Sequence, residues 1–301
     1  MFYSKYIYGH NWNIGFSETS PESLIKSGKL GKIKWLSHRY KDRFFADPFV
    51  ISSDSSIINV LVEELPFSMK KGRITRLVVD SKSKRLIERE TVLELESHLS
   101  YPAFHRINDK IYLFPENSAS GRLTIYEYNE TLNSVNKVDT MVPEPLTDAT
   151  LFHSEGRYWL FATKLPESNE KLFLYHSLDF AGNFICVNNG DPIITGLSSS
   201  RPAGNIFTAD GNLYRPAQNS IMHYGGRMMI QQIVKLSKEE YAEKNILTIN
   251  PHSFKYNLGT HTVNFYEGGC VVDGYGYLYP LIGHMANFLI KKRDIIFRSK
   301  R

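Results

Sequence analysis

Two cysteines, Cys186 and Cys270, stand in 301 residues. So few exclude a disulfide framework, and a reducing, cytoplasmic setting is expected. No run of about 18 uninterrupted apolar residues occurs, so no transmembrane helix is expected. Met1 to Gly15 is aromatic and polar, without an apolar stretch ahead of a small-residue cleavage site, and does not read as a secretory signal. Neither charge sign dominates. Lys and Arg total 36 against 31 for Asp and Glu, a formal net charge of +5. Such a mild excess suits anionic small molecules or a membrane surface as well as nucleic acid; a nucleic-acid partner is not expected. Glycine-rich phosphate loops and Rossmann fingerprints are missing. So are His-Glu-x-x-His, Cys-x-x-Cys and the Gly-x-Ser-x-Gly elbow. No cofactor and no metal are therefore expected, the one alternative being an ion held by carboxylates with His261.

What the chain does have is aromatic residues, 13% of the total. They favour strands and offer flat faces on which sugar rings pack. Two helices are predicted. One follows Ser20 as N-cap and Pro21 at the first helical position and stops near Gly28. The other covers Leu236 to Lys244, where Ser237 and Glu240 have capping-box spacing. The remainder is short apolar runs punctuated by Gly, Asn, Asp and Ser, which reads as all-β. Within it a short motif ending in Phe recurs five times, at Asp47-Pro48-Phe49, Tyr101 to Phe104, Asp148 to Phe152, Arg201 to Phe207 and His261 to Phe265. Hairpin turns follow, such as Asn108-Asp109, Glu155-Gly156 and Asp210-Gly211. Units this small cannot bury an apolar face alone, and five of them close radially. The sequence thus predicts a five-bladed β-propeller with a few short helices, over residues 1–301 as one domain. The run Trp12 to Phe16 is expected to complete the last blade. A β-sandwich is the alternative.

In a propeller the first strand of each blade lines the axis, so the repeated positions converge. Asp47, Tyr101, Asp148, Arg201 and His261 occupy them. A second ring is read one strand later, at Glu63-Glu64, Glu116, Lys164 and Gln218. Paired carboxylates suit glycosyl chemistry, in which one group handles a leaving oxygen and another a nucleophile or an oxocarbenium ion. Asp47, Glu64, Glu116 and Asp148 are the catalytic candidates. Arg201 and Arg215 each open an Arg-Pro-Ala tripeptide, and two such rigid Arg either clamp phosphate or carboxylate or each pair with a funnel carboxylate and stiffen the site. Gln218, Asn219 and Asn264 suit sugar hydroxyls or inter-blade hydrogen bonds. The basic tail from Lys291 to Arg301 suits weak contact with an anionic membrane surface.

Taken in order, Phe45-Ala46-Asp47-Pro48-Phe49, Val62-Glu63-Glu64, His98-Leu99-Ser100-Tyr101-Pro102, Pro115-Glu116, Asp148-Ala149-Thr150, Arg201-Pro202-Ala203-Gly204, Tyr214 to Gln218, Tyr224-Gly225 and His261 to Asn264 resemble the N-terminal domain family of glucosamine inositolphosphorylceramide transferase. The likeness runs from Trp12 to Asp273. It brings His98 and Tyr101 among the substrate-binding candidates, beside Arg201, Arg215, Gln218, His261 and Asn264. It implies a five-bladed propeller related to furanosidase-type glycoside hydrolases, found in bacteria alone or joined to formyltransferase-like domains, often in surface-polysaccharide settings. In the plant protein the recognised glycosyltransferase module is a separate C-terminal domain. Hydrolases of glycoside hydrolase family 43 use an Asp in the first blade, a second Asp that tunes pKa, and a Glu as general acid. By that resemblance Asp47 and Asp148 fill the Asp roles. The fourth blade has Arg201, Arg215 and Gln218 and no matching Glu, which leaves Glu116 or Glu64 as acid.

Two functions are open. One is a glycosyl-transferring or glycoside-cleaving enzyme of cell-surface polysaccharide or glycolipid assembly, taking a glycan, nucleotide sugar or lipid phosphate. The other is a non-catalytic glycan-binding propeller that presents an acceptor to a partner enzyme.

Overall fold

The computed structural model describes residues 10–285 apart from position 252. Strand β1 (His10–Ser17) leads into helix α1 (Pro21–Ser27) and the short β2 (Lys34–Trp35). The helix obeys its local signals. The Ser20 hydroxyl accepts from the Ser23 amide at 3.2 Å, and Gly28, in the left-handed region at φ 69°, donates its amide to the Leu24 carbonyl.

Four blades follow in chain order, each an antiparallel sheet. Blade one is β3 (Arg43–Ser53), β4 (Ile57–Pro66), β5 (Arg73–Asp80) and β6 (Leu86–Leu93). Blade two is β7 (Phe104–Ile107), β8 (Lys110–Leu113), β9 (Leu123–Asn129) and β10 (Ser134–Val142). In blade three, β11 (Leu146–Ser154), β12 (Arg157–Lys164) and β13 (Lys171–Ser177) are edged by two short strands, β14 (Ile185–Cys186) and β15 (Ile194–Thr195). Blade four is β16 (Phe207–Ala209), β17 (Asn212–Asn219), β18 (Arg227–Leu236) and β19 (Tyr241–Ile249). The fifth takes β20 (Val263–Tyr266) and β21 (Gly269–Tyr277) from the far end of the chain and β1 and β2 from the near end. Strand β1 pairs with β21 along its whole length, Ile14 facing Asp273 and Phe16 facing Val271. The protein is a five-bladed β-propeller.

Apolar residues of neighbouring blades fill the space between sheets. Phe49, Leu61 and Ile74 of blade one pack with Ala103, Leu113 and Ile125 of blade two, all buried. Ile14 and Phe16 of β1 pack against Phe45, Val60 and Leu77 of blade one. The strand that closes the ring is thus also core, and at about 25 cal/mol per Å² of apolar surface its burial is a major stabilising term.

One predicted element is corrected. Residues Leu236 to Lys244 are not a helix but the hairpin joining β18 to β19. The Ser237 hydroxyl accepts from the amides of Glu239 and Glu240, the local pattern of a serine turn as much as of a helix cap. The sheet decides between the two, because the register runs on from Leu236 opposite Tyr241 to Met228 opposite Ile249.

Candidate functional site

A bulge repeats at the axis. Ala46 faces Glu63 and Phe49 faces Leu61, so Asp47 and Pro48 share the gap opposite Val62. Thr147 faces Thr163 and Thr150 faces Phe161, so Asp148 and Ala149 share one opposite Ala162. Asp47, Tyr101 and Asp148 all have positive φ, 49°, 43° and 47°. Such backbone is costly for a side chain with a Cβ, most of all for a bulky Tyr, and concentrates where surrounding structure over-determines a site.

The residue before each left-handed position bonds across to the second strand. Ala46 meets Glu63, Ser100 meets Glu116, and Thr147 meets Thr163. In blade four the Gln218 amide donates to Arg201, and in blade five the Asp273 amide donates to Thr262. The second ring is therefore Glu63, Glu116, Thr163, Gln218 and Asp273. Glu64 and Lys164 stand one residue further along, on the opposite sheet faces.

Two buried clusters meet in this funnel. In the first, Asp273 ties blade five to blade one. Its Oδ1 accepts from the amides of His261 and Thr262 at 2.8 and 3.1 Å, and its Oδ2 from the amide of Asp47 at 3.3 Å. His261 Nδ1 lies 2.5 Å from Asp273 Oδ2 and 3.7 Å from Asp47 Oδ1. Burial opposes a charge on this imidazole, but Asp273 and Asp47 outweigh it and lift its pKa to about 9. Asp47 accepts from the Thr262 hydroxyl at 2.8 Å and the Tyr101 amide at 3.2 Å. Burial first, then Glu63, Asp148 and Asp273, push its carboxyl up to about 7, against the pull of His261. Ligand atoms of Asp47, His261 and Asp273 all lie within 4.8 Å of one another, close enough to hold a cation. The imidazolium already holds that position, so a metal there must displace the ring proton.

The second cluster joins blades two, three and four. Arg201 grips Asp148 with two donors, Nε to Oδ2 at 2.6 Å and a terminal nitrogen to Oδ1 at 3.1 Å. The same terminal nitrogen lies 3.5 Å from Glu116 Oε2. Glu116 also accepts from the Asp148 amide at 3.3 Å and the Ser118 hydroxyl at 3.2 Å. Burial, then the Asp148 charge, raise its pKa well above the ordinary glutamate value, against the pull of Arg201. Gln218 Nε2 donates to Asp148 at 2.8 Å, while its buried Oε1 accepts nothing from the described residues. Tyr101 spans the floor, its hydroxyl 2.7 Å from that of Thr150 and accepting from the Gly204 amide at 2.8 Å. Gly204 has φ 132°, and a Cβ there would stand 2.0 Å from the Val263 carbonyl oxygen.

Aromatic and polar groups form the rim. Trp12 stacks on His261 with ring centres 4.0 Å apart, and Tyr224 meets the same ring edge-on while covering Arg201. Tyr224 is 46% exposed. His98 pairs with Glu63 at 3.3 Å, which raises its pKa above the ordinary histidine value.

The funnel thus brings together Asp47, Tyr101, Glu116, Asp148, Arg201, Gln218 and His261, with His98 at the edge. Three candidates serve elsewhere. Glu64 is fully buried among Arg43, Arg73, Arg89 and Thr75. Burial opposes its charge, yet those donors prevail and hold its pKa at about 2. Arg215 is fully buried against Glu243 and the Ser199 carbonyl, so it forms no clamp with Arg201. Asn264 bridges blades, donating to the Pro48 carbonyl and accepting from the Asn205 amide. Asp273 is the funnel acid the sequence reading missed, and of the pair Glu63-Glu64 it is Glu63, not the catalytic candidate Glu64, that faces the funnel. Alternation from the bulge singles out Glu63, whereas nothing in Val271-Val272-Asp273-Gly274 marks Asp273 in advance. The basic tail lies outside the described residues.

The sequence profile of the family described as the N-terminal region of glucosamine inositolphosphorylceramide transferase 1 matches residues 33–260. The protein of that name from Arabidopsis thaliana is 30% identical over 209 residues, which are 67% of this chain and 27% of the relative. The chain therefore spans about a quarter of the length of that curated relative. Among solved structures, the catalytic domain of a family 62 α-L-arabinofuranosidase from Coprinopsis cinerea superposes with a TM-score of 0.57 at 10% identity, covering 86% of this chain and 84% of that one. A family 117 glycoside hydrolase from Zobellia galactanivorans superposes with a TM-score of 0.54 at 9% identity, covering 90% and 91%.

Proposed function

The chain belongs to the glucosamine inositolphosphorylceramide transferase 1 N-terminal family, and from that membership we propose that its funnel is a carbohydrate site which catalyses glycosyl transfer or glycoside cleavage. One observation carries the reading. Two buried carboxyl groups from different blades open on one funnel, Glu116 with its pKa raised well above the ordinary glutamate value and Asp47 poised at about 7. Glu116 donates its proton to the leaving oxygen. Asp47 accepts the proton of the incoming hydroxyl or water, and His261 and Asp273 hold it in place. Arg201 holds Asp148 against Glu116; burial, then the Asp148 charge, raise the acid's pKa, and the Arg201 charge opposes them. Tyr224 offers its partly exposed ring to a sugar, and the unmet Gln218 Oε1 accepts from a sugar hydroxyl. The name of the relatives supports a phosphate-bearing glycolipid or glycan substrate in glycolipid or surface-polysaccharide assembly. A cytoplasmic setting is part of the proposal, supported by Cys186 and Cys270, both free thiols.

A second reading has its own support. Arg201 ion-pairs with both Glu116 and Asp148 from the blade where the resemblance calls for a Glu. That arrangement suits a propeller that binds glycan and presents it to a partner enzyme. Turnover and binding of a glycoside and nucleotide-sugar panel separate the two. Under the enzymatic reading Asp47→Asn and Glu116→Gln each reduce turnover about 10²-fold or more while sugar affinity stays within a few fold. Unchanged turnover in both variants removes Asp47 and Glu116 from the chemistry, and sugar binding without turnover in the wild type leaves the presenting role.

A further inference from the structure

A cavity of about 760 Å³ lies between α1, the 28–34 loop and the β20–β21 hairpin. It is remote from the funnel. Strand β1 holds Trp12 against His261 and reaches the cavity only at Phe16 and Ser17, about 15 Å further along at 3.4 Å per residue. Five lysines line it, Lys26, Lys29, Lys32, Lys34 and Lys84, against one acid, Glu18. Lys26, Lys29, Lys32 and Lys34 form no ion pair among the described residues, although exposed lysines elsewhere do, as Lys110 with Glu127 and Lys171 with Glu167. Lys84 leans over the Phe16 ring at 5.2 Å, half-buried, with the Lys34 charge near enough to disfavour its own.

Like charges gathered around a concavity repel one another and destabilise the folded chain. The fold nevertheless directs them there. Gly28 ends α1 in the left-handed region, and the chain turns so that three lysines of Lys29-Leu30-Gly31-Lys32-Ile33-Lys34 follow on the same rim as Lys26. Leu30 is buried and anchors the loop, and the Gly31 amide donates to Thr19 at 2.8 Å, so the rim is held rather than loose. A volume of this size matches a small-molecule site, and lysine ammonium groups are point-charge donors suited to phosphate oxygens.

We propose that this cavity binds an anion of the phosphate class, carried by a lipid headgroup or by a soluble phosphate ester. The inference stands apart from the funnel reading and survives its failure. The test is calorimetric titration of the whole chain with inorganic pyrophosphate, beside co-sedimentation with phosphatidylcholine vesicles with and without phosphatidylinositol. The variants are Lys29→Gln/Lys32→Gln/Lys34→Gln and, as a charge-matched control, Lys110→Gln/Lys137→Gln/Lys235→Gln. All six lysines are exposed, and unchanged thermal midpoints verify folding. Pyrophosphate binding that weakens about tenfold or more in the cavity variant, and not in the control, establishes the site with a soluble ligand. The same pattern seen only with phosphatidylinositol vesicles establishes it with a lipid headgroup. Absence of binding in both arms overturns the proposal. So does an equal loss in both variants, which reduces the effect to net charge.

Discussion

Glu64, on β4, and Glu116, on the bridge to Ser100 that follows β8, are both buried glutamates, and their surroundings set them opposite tasks. Glu64 is ionised among three Arg, so removing its charge strands cations in the interior. Glu64→Gln is expected to cost about 3–5 kcal/mol in denaturant unfolding. Burial, then Asp148, raise the Glu116 pKa, so Glu116→Gln, which keeps the shape of the protonated acid, is expected to cost less than about 1 kcal/mol. A comparable loss in both would show that Glu116 is ionised and would remove it as an acid. The same contrast explains what the sequence makes legible. Asp47, Asp148 and Tyr101 announce themselves through a repeated motif. Glu64 and Lys164 mislead because a bulge shifts the alternation by one, and a one-residue shift moves a side chain to the other face of the sheet. Arg201 and Arg215 open identical tripeptides, yet one lies at a blade entrance and the other inside β17, three residues before the inward Gln218, so it points away.

Among elements, β19 and β1 show how far local signals reach. Helix α1 is written in its caps, and local chemistry suffices for it. Ser237 and Glu240 carry a similar signature, but β18 offers a partner of matching register, and long-range pairing overrides the local preference. Strand β1 pairs with its neighbour in sequence, β2, only at Gly15 and Phe16, and its full-length partner β21 lies at the far end of the chain; the repeat count, with its unfinished last blade, points to its place. A chain beginning at Glu18 lacks this strand and uncovers Val271, Val272 and the faces of Phe45 and Val60. It is expected to lose its cooperative thermal transition by near-UV circular dichroism. A sharp transition retained in that truncation would show that blade five is dispensable to the ring.

For the whole molecule, protonation is linked to stability through the axis. His261 has a folded pKa of about 9, above its ordinary 6.5, so the folded state binds more protons over that interval. Its stabilisation is complete below about pH 6.5 and is lost as pH rises through 9. Asp47, raised from 3.8 to about 7, acts in the same direction over the lower interval. Glu64, lowered from 4.5 to about 2, acts oppositely, its contribution lost as pH falls from 4.5 through 2. Thermal midpoints are therefore expected to decline from pH 6.5 to 9, and His261→Gln is expected to flatten that decline. A wild-type midpoint that rises over this range would contradict a charged His261.

The pairing of Ile14 with Asp273 has a consequence for the order in which the protein is made. A ribosome releases the N-terminal strand first, and that strand finds its partner only after the other four blades have emerged. Until then its apolar face, Ile14 and Phe16, has no permanent cover, and the half-made molecule resembles an open fan rather than a ring. The funnel shares that delay, since Asp273 sits on the strand that β1 completes. Any site chemistry thus arrives in one step with ring closure, and a nascent chain halted before residue 273 carries Asp47 and His261 without the group that joins them.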